Sequence, residues 1–284
     1  MVRRGRTASV SDDGDLTLSA DFPTVDDLLS AAQDGTLTKS KKVTLLPAGR
    51  IGPLVEIHLA SLLWPNLFDL VSINIPFARL VLAALEDGAL SGAQFNSRMG
   101  VIPLRPGLNE GEEWIMWCHR AEQAAAAVGF TKGFAASVVG AMIELQENIY
   151  VHSQRPETGL VAYGASQGGF EIVVADRGIG VLASLQQNEA YHNIRDAGEA
   201  LKIAVRDGTS RFGKDSGRGY GMGQMFRALA NHDGELRFRS DDYALLVRGH
   251  SPTLTGTIEL RQKACLPGLT ISVRCPAPGR VHLN

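Results

Sequence analysis

The chain has 284 residues, 44% hydrophobic and 20% charged, an ordinary globular composition that excludes wholesale disorder and leaves room for one large or two small domains. Its formal net charge of −2 offers no global basic field for nucleic acid or for an acidic membrane surface. The three cysteines, Cys118, Cys265 and Cys275, form no C-x-x-C pair and are odd in number, which points to unpaired thiols in a reducing, cytoplasmic setting.

Taken in order, the chain opens on Met1-Val-Arg-Arg-Gly-Arg6, basic but with no apolar segment behind it, so no signal peptide is expected. Residues 1–20 are polar and read as a flexible tail. Lys41 to Leu46 predicts a strand, Leu54 to Leu63 a buried helix stopped at Trp64-Pro65, Leu70 to Ile75 a second strand, and Phe77 to Glu86 a helix ended by Asp87-Gly88. Strand–helix–strand–helix in so short a span argues a small α/β unit with neighbouring parallel strands, over residues 21–95. The apolar stretch from Ile51 to Leu85 is broken by Glu56, His58, Pro65, Asp69, Pro76 and Arg79, so it cannot span a bilayer and a soluble protein is expected.

A second domain is expected over 99–284. Gly100 to Leu104 suits a first strand, Glu110 to Val128 a helix, and Lys132 to His152 a second helix with Thr131 as N-cap. Leu160 to Tyr163 and Phe170 to Ala175 read as a hairpin joined through residues 164–169. Residues 181–216 are polar, with a helical middle from Ala197 to Val205, and resemble a lid. Four further strands are expected at Glu235 to Arg239, Ala244 to Arg248, Gly256 to Leu260 and Leu269 to Arg274.

Three segments carry the candidate chemistry. Glu144, Asn148 and His152 are spaced four apart, so they project from neighbouring turns of one helix face beside the apolar stripe of Phe134, Val138, Ala141, Leu145 and Ile149. Asp176-Arg-Gly-Ile-Gly180 follows a β-branched strand directly, and Gly217-Arg-Gly-Tyr-Gly-Met-Gly223 precedes a helical run to about Ala230. Each segment alone is common: a four-spaced Glu, Asn and His on a helix is more often surface decoration, and Asp-x-Gly-x-Gly is a frequent turn. Three in order are not. The six other histidines are scattered without ligand spacing, and none lies in a His-Glu phosphoacceptor motif.

In this order the segments resemble the N, G1 and G2 boxes of the GHKL ATPases, and the Glu-xxx-Asn-xxx-His form most resembles the anti-sigma-factor serine kinases. The resemblance implies an α+β class protein with a Bergerat-fold two-layer sandwich, a mixed sheet covered by helices, binding ATP and Mg2+. It implies Glu144 as catalytic base, with Glu147 as a substitute, and Asn148 as magnesium ligand. His152, Asp176, Gly178, Gly180, Lys214, Gly217, Arg218, Gly219, Tyr220, Gly221, Met222 and Gly223 would complete the nucleotide site, Asp176 accepting from the adenine amino group. Residues 21–95 resemble, more loosely, the STAS-like fold of anti-sigma-factor antagonists through Val43 to Leu46, Ile51-Gly-Pro53 and Ser72 to Pro76. The turn Gly49-Arg-Ile-Gly52 offers no hydroxyl, which favours a docking module over a phospho-switch.

The function expected is phosphorylation of a serine or threonine of a regulatory protein partner, STAS-type or sigma-like, or slow ATP hydrolysis. The alternative is a non-catalytic, nucleotide-dependent interaction switch. A homodimer fits either, and neither needs direct contact with nucleic acid or membrane.

Overall fold

The computed structural model describes residues 9–10, 16–36, 43–46, 49–65, 67, 71–73, 98–108, 111–205, 233–248 and 258–278. The chain divides into two compact units, Met1–Leu90 and Ser91–Asn284. The helix expected from Phe77 to Glu86 lies outside the described residues.

In the N-terminal unit the strand order is β1 (Ser9–Val10), β2 (Leu16–Ser19), β3 (Val43–Leu46), β4 (Val71–Ile73). β1 and β2 are antiparallel, whereas β2, β3 and β4 run parallel. The parallel pairs require crossovers, and α1 (Phe22–Gln33) and α2 (Gly52–Ser61) supply them. The segment expected to be a flexible tail thus contributes two strands. Its acidic run had obscured the alternation at Leu16-Thr-Leu-Ser-Ala20, where Leu18 and Ala20 are buried. Helix α1 starts where Asp21 accepts a hydrogen bond from the Thr24 N–H at 3.0 Å, and it buries Phe22, Val25, Leu28 and Leu29. Helix α2 is buried from Gly52 to Ala60, including the polar side chains of Glu56 and His58.

The C-terminal unit has a five-stranded sheet. Its order is β5 (Met99–Pro103), β6 (Leu160–Ser166), β7 (Gly169–Asp176), β9 (Ile258–Pro276), β8 (Glu235–Arg248). Every neighbouring pair is antiparallel, which corrects the expected mixed sheet. β7 and β8 do run the same way, but β9 lies between them and no parallel ladder forms. Two long helices, α3 (Glu112–Ala127) and α4 (Lys132–His152), share a core with one sheet face. Trp114, Trp117, Phe134, Met142, Leu145 and Ile149 meet Tyr163, Ile172, Val174, Leu236, Phe238 and Val273 there. Thr131 caps α4 by accepting from the Phe134 N–H at 3.2 Å.

The later strands differ from expectation in a way that matters for the site. The two strands expected between 235 and 248 are one, and those expected between 256 and 274 are also one. Asp241-Asp242 and Pro267-Gly268 look like turns in sequence. In the fold they are absorbed where the β8–β9 register slips: Ser240 pairs with Leu269, Asp241 with Leu266 and Tyr243 with Gln262, so the surplus residues belong to β9, with Asp241 at φ 51° and Gly268 at φ 89°. Before the slip Leu236 and Phe238 face the core; after it Tyr243, Leu245 and Val247 do. The left-handed Asp241 marks this reversal of parity in β8.

Candidate functional site

Helix α4 ends at the turn that follows β7, and this junction gathers the sequence-predicted residues that the structure describes. Glu144 is half-buried, Asn148 is exposed and His152 is half-buried, in successive turns of α4. Burial, with Glu147 adding like charge, raises the Glu144 carboxyl above its ordinary value. At the end of the helix His152 Nδ1 lies 3.3 Å from the buried Ser184 Oγ, on α5 (Gly180–Leu185) just beyond the turn.

Asp176 closes β7 and is 2% exposed. Burial pushes its carboxyl up to about 6, opposed by a hydrogen bond from the Gly178 N–H to Oδ1 at 2.6 Å. The residues after it are tied down one by one. Arg177 N–H donates to Thr158 Oγ1 at 3.0 Å, Ile179 N–H to the Ser153 carbonyl at 2.9 Å, and Val181 N–H to Ser240 Oγ at 3.0 Å. With the Gly178 bond, four N–H groups of this turn are committed to the protein. They are not available to cradle a phosphate. What the turn offers is an ionisable oxygen acceptor in a tight, dry frame.

The glycines explain how the frame closes. A Cβ at Gly178 would lie 2.1 Å from the Ser153 carbonyl oxygen, so only glycine lets the turn reach the end of α4. Gly268 of β9 is equally constrained: a Cβ there would lie 2.2 Å from the Asp176 carbonyl oxygen, at positive φ. Gly180 also has positive φ, 74°.

Several residues of this junction carry no sequence motif: Ser153, Thr158, Ser184, Ser240 and Gly268. Serines and threonines are too common to single out. The parity change in β8 was the readable trace of the register slip beside Ser240. Lys214, Gly217, Arg218, Gly219, Tyr220, Gly221, Met222 and Gly223 lie outside the described residues, as does the lid beyond Val205. The described part of the segment expected to be a lid holds α5, a short 3-10 turn at Glu189–Tyr191 and α6 (Ala197–Ala204), packed through Leu185, Ile194 and Ala200.

Among the described residues no group of three or more His, Cys, Asp or Glu is arranged to hold a metal ion. All three cysteines are free, and burial pushes the Cys118 and Cys275 thiols up to about 12. No helix among the described residues is long and apolar enough to cross a membrane.

Comparison with protein-family models, with curated proteins and with solved structures finds no match for this chain.

Proposed function

We propose that the protein binds ATP with magnesium in the manner of the GHKL ATPases, and phosphorylates a serine or threonine of a regulatory protein partner or hydrolyses ATP slowly. The observation that carries this reading is the junction of α4 with the Asp176 turn. A buried carboxylate whose neighbouring N–H groups are already used suits a neutral donor such as the amino group of adenine, not an anion. One helix leads from that junction, through His152, to the exposed amide of Asn148 and then to Glu144.

In this reading the base of the nucleotide lies at Asp176 and the phosphates lie toward Asn148, whose side-chain oxygen would hold magnesium. Bound magnesium would neutralise phosphate charge. Glu144, its carboxyl held above its ordinary value by burial and by the charge of Glu147, would take the proton of an attacking hydroxyl or water. The strand pair β1–β2 followed by parallel β2–α1–β3–α2–β4 supports a STAS-like docking module at the N-terminus. The free thiols suit a reducing, cytoplasmic setting.

One observation favours the alternative of a nucleotide-dependent interaction switch. Ile115 and Met116 on α3 are 53% and 52% exposed, large apolar side chains of the kind that meet a partner. Calorimetric titration of ATP and magnesium into wild type, Asn148→Ala and Glu144→Gln tests both readings. Asn148→Ala is expected to weaken binding about tenfold, the loss of one charge-assisted ligand. Glu144→Gln should bind as wild type does yet transfer no phosphate. A switch would keep nucleotide-dependent partner binding in that same variant. No binding by wild type at millimolar ATP would sink both.

A further inference from the structure

Ser240 and Asp241 are adjacent in β8, so in a regular strand their side chains would point to opposite faces. They do not. A Cβ placed on Gly180 would lie 2.9 Å from Ser240 Oγ and 2.8 Å from Asp241 Oδ2, so both side chains reach the same spot at the start of α5. Ser240 Oγ and Asp241 Oδ2 are themselves 3.5 Å apart. The left-handed conformation of Asp241, φ 51°, accompanies this convergence, at the point where the register with β9 shifts on both sides of it. For a non-glycine residue that conformation costs free energy, and it is kept where surrounding contacts over-determine it.

Ser240 is 1% exposed, and besides the Asp241 carboxylate its hydroxyl has two backbone partners. It accepts from the Val181 N–H at 3.0 Å and donates to the Gly268 carbonyl at 2.8 Å. Gly268 lies directly against the Asp176 carbonyl, and Val181 is the last tied residue of the turn. One hydroxyl therefore joins the two backbone segments that meet at the Asp176 main chain, β9 on one side and the turn on the other.

We propose that Ser240, next to the left-handed Asp241, is a positioning residue that sets base selectivity at Asp176 without touching the ligand. The inference rests on the nucleotide reading above. Its physical content is that a carboxylate tells adenine from guanine only if held at a fixed place, because an amino group is matched and a carbonyl repelled over a few tenths of an ångström. Without the Ser240 hydroxyl, Val181 N–H and the Gly268 carbonyl lose their shared partner, and the turn that orients Asp176 through Gly178 loosens.

The test compares ATP with GTP, each with magnesium, on the full chain by calorimetry. Wild type is expected to prefer ATP by at least about tenfold. Ser240→Ala should lose about tenfold in ATP affinity while GTP is nearly unchanged, so the preference collapses. Asn148→Ala, at the other end of the site, should weaken both nucleotides alike. The isosteric pair Ser240→Thr and Ser240→Val separates the hydroxyl from its volume: Thr keeps the preference and Val loses it. Amide exchange at Val181 and Gly178 in the nucleotide-free protein should accelerate in Ser240→Ala and Ser240→Val only. A preference for ATP that survives in Ser240→Ala and Ser240→Val overturns this inference alone. A wild type that binds neither nucleotide overturns the functional reading and this inference with it.

Discussion

The two ends of the candidate site are built differently. At Asp176 the backbone is tied at four consecutive or near-consecutive N–H groups, glycines fill places no side chain could enter, and the carboxylate is almost fully buried. At Asn148, less than two helical turns from the junction, the amide stands exposed and Gly140 has open space around it. The contrast teaches where rigidity is useful. Recognition of a shaped, neutral group needs a frame made before the ligand arrives, because ordering that frame on binding would cost affinity. A phosphate held by a metal and water needs less pre-formed structure.

Substitutions that break the frame should have the largest effect. Gly178→Ala forces a methyl group into the Ser153 carbonyl, and a loss of about 3 kcal/mol or more in unfolding free energy is expected from a backbone contact that has no flexible side chain to yield. Denaturant unfolding at neutral pH measures it; an unchanged midpoint would mean that the turn is not held as described.

Asp176→Asn sharpens the comparison by removing charge and keeping shape. The wild-type carboxyl is raised from 3.8 to about 6, so between those values the folded state binds the proton more tightly than the unfolded state does. Wild-type stability should therefore fall as pH rises through that window. The variant lacks this slope, so it should be more stable than wild type at pH 7.5 by on the order of 2 kcal/mol and equal to it near pH 4. Thermal unfolding across pH reads both. A variant less stable than wild type at neutral pH would show that the buried charge is compensated. ATP binding by wild type should weaken as pH falls through about 6, where the acceptor becomes protonated.

The smallest effect belongs to the open end. Gly140→Ala places a methyl where nothing lies within 4 Å, in the interior of α4. A gain of roughly 0.5–1 kcal/mol is expected from helix propensity alone. A loss there would show that this face of α4 is already covered.

Much of this protein was determined by sequence alone. Periodicity placed α3, α4 and most of the strands, because long amphipathic segments bury one face whatever else surrounds them. The Thr131 cap followed from the same local rules, whereas the α+β class was what the family resemblance implied. The spacing of Glu144, Asn148 and His152 placed them on one helix before any tertiary contact was known. Helix α1 was not among the expected elements, although its Asp21 cap and the stripe of Phe22, Val25, Leu28 and Leu29 are local signals.

Tertiary structure decided the rest. The order of the sheet, with β9 inserted between β7 and β8, depends on contacts far apart in the chain, and no local pattern encodes it. The same holds for the two apparent turns, Asp241-Asp242 and Pro267-Gly268, which the sheet draws into continuous strands because pairing with a neighbour outweighs local turn preference. Ser240 is the clearest case. A serine has no sequence signature of its own, and its place beside the Asp176 turn exists only because the sheet brings β8, β9 and the end of β7 together.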